Sequence, residues 1–242
     1  MYLSLIIPAY NEEDRIGQTL TDATAYLDAQ SYDAEIVVVD DGSTDATGAV
    51  VRPFSEREGA TPVRYVRYEK NRGKGYAVRL AMQDHAKGRY RVYYDADAST
   101  PITELEKLWP FFERGADIVI GSRALPGSDI AVRQARYREL MGRTYNLILR
   151  LLRLTRFRDT QCGFKGFTAE ACAVVFPRQT LHRFSFDAEL LFIAWKHGLR
   201  IEEIPVRWIN SPLSRVRVIK DSAKMFLDLI TIRIKDWRGR YA

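Results

Sequence analysis

Short, continuous apolar runs alternate along the first half of the chain with stretches whose apolar residues recur every third or fourth position. Tyr2 to Ile7 is the first run, and it gives way to Pro8-Ala9-Tyr10-Asn11-Glu12. Ile16, Leu20, Ala23 and Leu27 then follow at helical spacing. Glu35 to Val39, Val63 to Tyr68, Tyr90 to Tyr94 and Asp117 to Gly121 repeat the strand pattern. Glu35 to Val39 is β-branched and apolar nearly throughout rather than alternating, as in a strand covered on both faces. Between the runs, Asp40 to Asp45 forms a cap-rich turn leading to a short helix expected not to run beyond Pro53. Val78, Ala81 and Met82 mark another helical face, and Thr100-Pro101 reads as an N-cap and first helical residue. This β-α-β-α order predicts an α/β fold: a doubly wound, mostly parallel sheet flanked by helices.

Beyond Gly121 the pattern becomes apolar and cationic together. Tyr145, Leu147, Leu149, Leu151 and Leu154 are interleaved with Arg143, Arg150, Arg153 and Arg156. This suits a core helix with basic outer residues and a helix in a membrane interface equally well. Phe164 begins a short strand, and Arg183 to His197 reads as a helix stopped by Gly198. His197 reads as the last residue of that helix, and Asp187 and Glu189 as residues of its first turns. Arg200 to Ile209 is a late strand broken at Pro205. Residues 218–237 set Met225, Phe226, Leu229, Ile230, Ile234 and Trp237 against Lys224, Arg233 and Lys235, an amphipathic, cationic C-terminal helix suited to a membrane surface.

Composition narrows the partners. The 242 residues suffice for one large domain, and a net charge of +6 favours anionic ligands. Basic residues concentrate after position 123 beside apolar runs, with no nucleic-acid-binding motif, so nucleic acid is not expected as a partner. No apolar run nears the ~20 residues of a bilayer span, and no signal-peptide pattern opens the chain. Attachment to the cytoplasmic face of a membrane is therefore expected to be peripheral. Cys162 and Cys172 are expected to be buried, reduced thiols.

The polar residues that follow each predicted strand carry the chemistry. Parallel strands bring their carboxyl ends to one rim, where open α/β sheets bind ligands. Asp95 and Asp97, spaced i, i+2 after the Tyr90 run, could hold a hard divalent cation completed by water and phosphate oxygens. Lys74, flanked by Gly73 and Gly75, could neutralise phosphate, and Asp40 or Asp41 could bond a base or ribose. Arg123 ends the fifth strand beside the same crevice. The rim therefore suits a nucleoside diphosphate, and neither a G-x-G-x-x-G nor a P-loop signature is present.

Ile6-Ile7-Pro8-Ala9-Tyr10-Asn11-Glu12, Val38-Val39-Asp40-Asp41-Gly42-Ser43, Asn71-Arg72-Gly73-Lys74-Gly75 and Asp95-Ala96-Asp97 resemble, in order and spacing, the motifs of family 2 glycosyltransferases. Arg158 to Lys165 and Arg183 to Leu191 resemble the members that load sugars onto polyprenyl phosphates, dolichyl-phosphate β-glucosyltransferases above all. The resemblance implies an inverting, metal-dependent GT-A enzyme that moves glucose from UDP-glucose to a polyprenyl phosphate. GDP-mannose as donor, or a hydroxyl as acceptor, are the alternatives. Pro8, Ala9, Tyr10, Glu12, Asp40, Asp41, Lys74 and Ala96 would line the nucleotide-sugar site, with Asp95 and Asp97 on Mg²⁺ or Mn²⁺. Arg123, Arg133 and Arg217 would meet the acceptor phosphate. Asp159 would orient the acceptor, or act as base toward a hydroxyl. The catalytic domain is expected over 1–212, with 1–122 the nucleotide-sugar half and 123–212 the acceptor half. A basic loop and the C-terminal helix would occupy 213–242.

Overall fold

The computed structural model describes every residue except Arg133 and 211–217, and leaves the side chains at 138 and 218–223 undescribed. In chain order the elements are β1 (Leu3–Ala9), α1 (Ile16–Asp28), β2 (Ala34–Asp40), α2 (Thr47–Glu56), β3 (Val63–Arg67) and α3 (Lys74–Leu80). A π turn over Ala81–His85 continues α3 into β4 (Tyr90–Tyr94), then come α4 (Trp109–Glu113), β5 (Ile118–Ser122) and β6 (Asp129–Val132). The second half adds α5 (Arg136–Leu151), β7 (Phe164–Thr168), α6 (Ala169–Val175), α7 (Phe186–Lys196), β8 (Ile201–Pro205), β9 (Arg207–Ile209) and α8 (Val218–Trp237).

Seven strands form the main sheet in the order β3-β2-β1-β4-β7-β5-β8, and β6 pairs with β9 in a small second one. In the main sheet the pairings are parallel except those of β7, which runs antiparallel to β4 and β5. Side chains alternate across the strands, so two cores form. Leu3, Leu5 and Ile7 of β1 face α1, α2 and α4, while Ile6 faces the layer of α3, α5, α6, α7 and α8. The helix pattern read from Ile16, Leu20, Ala23 and Leu27 is the buried face of α1.

Three sequence expectations are corrected. First, α2 does not stop at Pro53 but runs beyond it to Glu56. The carbonyl that Pro53 leaves without a donor belongs to Ala49, an exposed residue where water can serve instead. Second, no α-helix starts at Thr100-Pro101; a 3-10 turn over Ile102–Lys107 intervenes before α4. Third, β1 does not end before Pro8 but runs to Ala9. Pairing with β4 ends at Ile6, so Pro8 lies past that ladder, where its missing N–H disrupts nothing.

Candidate active site

The carboxyl ends of β1, β2, β4 and β5 meet on one rim, and Ala9, Asp40, Asp95, Asp97 and Arg123 lie at or just beyond them. The antiparallel β7 adds what a wholly parallel sheet would not. Its first residue, Phe164, pairs with Tyr94 at the end of β4, so the segment before it, 159–163, arrives at the same rim.

Lys74 opens α3 and places Nζ 2.5 Å from Asp95 Oδ1. The N–H of Ser99 donates to Asp97 Oδ1 at 3.0 Å, and Arg15 lies 3.9 Å from Asp97 Oδ2. Burial, and then the charge of Asp95, push the Asp97 carboxyl above the ordinary range. These are two hard oxygen donors in mutual repulsion, which a divalent cation would relieve. Among the described residues no cluster of three or more His, Cys, Asp or Glu gathers to bind a metal. The protein thus fits a cation that takes its other ligands from water and phosphate, as Mg²⁺ does.

Gly163 lies directly against this pair. Its carbonyl accepts the Asp95 N–H at 3.1 Å, and a Cβ built on it would fall 1.8 Å from Asp95 Oδ2. Gly163→Ala must push the two segments apart and is expected to cost about 1–3 kcal/mol. Thermal unfolding checks this: a Tm equal to that of the parent chain would show that the segments separate freely.

Asp40 and Asp41 have internal partners. Asp40, fully buried, accepts from the Ser43 N–H at 2.8 Å and the Tyr65 hydroxyl at 2.6 Å. Asp41 accepts from the N–H groups of Arg72 and Gly73 at 2.6 and 2.8 Å, clamping the loop that presents Lys74. Gly73 has φ of 104°, and a Cβ there would meet the His182 carbonyl at 2.3 Å, so glycine is required. Asn11, at φ 55°, ties the first rim loop to the second through the Ser43 hydroxyl and the Thr44 N–H. Glu12 pairs with Arg15, Ala96 is packed with its carbonyl accepting from Thr19 at 2.7 Å, and Pro8 is half-buried. Tyr10 remains 39% exposed at the rim.

Across the crevice, Arg123 and Asp159 form a two-point pair, Nε to Oδ2 at 2.6 Å and Nη2 to Oδ1 at 2.9 Å. The Arg123 and Gln161 N–H groups each add a bond of 3.0 Å to the same carboxylate. Burial alone would raise the Asp159 carboxyl, but Arg123 and these donors outweigh it and hold it down at about 2. The guanidinium lies 5.4 Å from the centre of the Trp208 ring. Arg133 and Arg217, expected beside it, lie outside the described residues.

Beneath the rim is a charge pair that sequence reading missed. Lys165, fully buried on β7, donates to Asp187 Oδ1 at 2.6 Å, to the Tyr93 hydroxyl at 2.6 Å and to the Cys162 carbonyl at 2.5 Å. Tyr93 also bonds Asp187. Asp187, read as a helix-start residue, is therefore the counterion of a core lysine. Glu189 accepts from the N–H groups of Thr180 and Leu181 and from the Tyr241 hydroxyl. The sequence signal was a lysine set between Phe164 and Phe167 in a short apolar strand, which demands a buried partner. Both cysteines are free and buried, as expected.

Comparisons with known proteins bear on the family and the fold. The profile of glycosyl transferase family 2 matches residues 4–176. A dolichyl-phosphate β-glucosyltransferase of Dictyostelium discoideum is 32% identical over 97% of this chain and 75% of its own length. Those of Homo sapiens and Saccharomyces cerevisiae are each 33% identical, over 99% and 100% of this chain and 77% of theirs. Among solved structures, glucosyl-3-phosphoglycerate synthase from Mycobacterium tuberculosis in complex with UDP superposes with a TM-score of 0.72. It is 20% identical, covering 96% of this chain and 79% of its own. The same enzyme with Mn²⁺, UDP and glucosyl-3-phosphoglycerate gives 0.70 at 20% identity, over 97% and 79%. The fold is GT-A.

Proposed function

The chain belongs to glycosyl transferase family 2, and from that premise we propose that it transfers glucose, with inversion, from UDP-glucose to a polyprenyl phosphate of the dolichyl type. In this reading the chain works peripherally at the cytoplasmic face of a membrane. The names of the relatives support donor sugar and acceptor. The observation that carries the reading is the pairing of two anion-handling groups on one rim. The Asp95/Asp97 pair suits a cation on a diphosphate, and Arg123, held by Asp159 and near enough to feel the charge of Asp95, suits a second phosphate.

In this reading an oxygen of the acceptor phosphate attacks the anomeric carbon while the bond to UDP breaks, and configuration inverts. Mg²⁺ or Mn²⁺ bound by Asp95 and Asp97 would supply positive charge to the departing diphosphate. Lys74 adds an ammonium beside them, and Tyr10 offers a ring to the base. Arg123 screens the approach of one anion to another. A lipid phosphate, with its second pKa near ~6, is already largely ionised at neutral pH and needs no base. Asp159 therefore serves by fixing Arg123.

Two measurements test this. Radiolabel from UDP-glucose should enter organic-extractable lipid when polyprenyl phosphate and Mn²⁺ are present, and EDTA should stop it. Label from GDP-mannose instead would overturn the donor, and label in neither lipid would overturn the acceptor. Asp159→Asn should lower kcat/KM roughly ten- to a hundredfold by loosening Arg123. Its pH profile between about 5 and 8 should keep the parent's shape, because Asp159 with a pKa of about 2 is already ionised throughout. Loss of the acidic limb in the variant would make Asp159 a base after all.

A further inference from the structure

The outward faces of α5 and α8 carry apolar residues where a surface helix would carry polar ones. On α8, Leu227, Ile230, Ile234 and Trp237 recur at helical spacing and are between 38% and 81% exposed. On α5, Leu140, Leu147 and Leu151 form a second row, 48% to 73% exposed. Neither row is the core-facing one. Tyr145 and Leu149 of α5, and Leu229 and Ile232 of α8, are buried in one shared core. The helices lie side by side, with Tyr145 and Phe226 ring centres 5.8 Å apart and Arg233 Nε 3.0 Å from the Leu152 carbonyl. Because both helices close over the same core, the faces turned away from it share one side of the molecule. Each helix is thus apolar twice over.

Charge identifies what covers this face. Arg136, Arg143 and Arg150 recur every seventh residue along α5, exposed beside its leucine row, and Lys224 and Arg238 are exposed at the two ends of the α8 row. Among the described side chains the nearby acids are engaged: Glu139 pairs with Arg143, Asp228 accepts from Ser185 at 2.7 Å, and Asp236 holds Lys196 at 2.5 Å. A second copy docking through the same face about a two-fold axis would set arginine rows against each other, which is repulsive. Anionic headgroups over an acyl boundary match both the rows and their flanks, and tryptophan at the end of the stripe is suited to that boundary. We propose that the outer faces of α5 and α8 form a docking surface for an anionic lipid bilayer. The core side of α5 reaches the acceptor side of the rim, where buried Asn146 accepts from the Thr160 N–H at 3.1 Å and the Thr160 hydroxyl at 2.9 Å, next to Asp159.

Sedimentation of the full chain with vesicles tests this without any turnover, so its outcome is independent of the donor and acceptor proposed above. The chain should pellet with vesicles of phosphatidylcholine and phosphatidylglycerol in equal amounts, less with phosphatidylcholine alone, and less as salt rises. Leu227→Gln/Ile230→Gln/Trp237→Gln should weaken vesicle binding at least tenfold while leaving Tm unchanged. Arg136→Gln/Arg143→Gln/Arg150→Gln should remove the preference for phosphatidylglycerol. A parent chain that stays in the supernatant would overturn the proposal. So would variants that pellet like the parent, or a parent dimer, seen by light scattering, that the α8 variant splits while neither binds vesicles.

Discussion

Asp97→Ala is expected to lower turnover roughly a thousandfold while the fold survives. The loss follows from what the residue offers a reaction in which a diphosphate leaves. Charge stabilisation by a bound divalent cation is worth several kcal/mol, and each ~1.4 kcal/mol is a factor of ten. With Asp95 and Asp97 as the two carboxylates that would hold the cation, removing one halves the protein's share of the ligand set. Survival of the fold follows from the electrostatics. Burial and then Asp95 raise the Asp97 carboxyl, so its ionised form is disfavoured in the folded chain. An acid raised on folding costs stability above its unfolded pKa, and deletion relieves that cost. Against this stands the Ser99 N–H bond of 3.0 Å, worth about 1 kcal/mol. The two effects oppose each other, and Tm without metal should change little. Mn²⁺ with UDP should raise the Tm of the parent chain and fail to raise that of the variant. Full activity in Asp97→Ala would remove the metal pair from the proposal.

How much of this was legible beforehand depended on how local each signal was. The runs at Tyr2, Glu35, Val63, Tyr90 and Asp117 became strands within a residue or two: the central strands are apolar along most of their length, and β3, at the sheet edge, keeps Arg64 and Arg67. The rim residues of that half followed, since a strand end fixes where the next residue goes. Lys74 sits against Asp95 as the shared rim implied. What escaped was non-local. Nothing in Phe164–Thr168 announces that the strand runs antiparallel between β4 and β5, so the approach of Gly163 to Asp95 could not be read from spacing. Asp40 and Asp41 looked like ligand-facing carboxylates because turn chemistry and ligand chemistry use the same residue. The Tyr65 hydroxyl and the Arg72 and Gly73 N–H groups, each more than twenty residues away, engage those oxygens beyond what the local turn supplies. For α5 the apolar-cationic pattern fitted a core helix and an interfacial one equally, for α8 it pointed to a membrane surface, and the structure shows each helix with a buried face and an exposed apolar row.

Lys165→Met should destabilise the chain by about 3–5 kcal/mol, and the double variant Lys165→Met/Asp187→Leu should regain most of that loss without regaining activity. The first half rests on the asymmetry of buried ion pairs. With Lys165 fully buried and its ammonium 2.6 Å from Asp187, removing one charge strands the other in the core. For a chain of this size that is a Tm fall of roughly 6–20 °C. Replacing both partners with apolar groups removes the stranded charge, so stability returns. Activity should not, because the lysine does more than neutralise. Its ammonium also holds the Cys162 carbonyl at 2.5 Å, and the next residue, Gly163, is the one packed against the Asp95 carboxylate. A methionine cannot donate that bond, so the 162–163 backbone can drift and Asp95 with it. Thermal unfolding and turnover at saturating donor, measured on the two single variants and the double, separate the roles. A single variant that loses less than about 1 kcal/mol would show that water reaches the pair. A double variant recovering both Tm and kcat would make the pair replaceable core filling. Recovery of Tm alone would assign Lys165 to positioning the metal carboxylate from beneath the sheet.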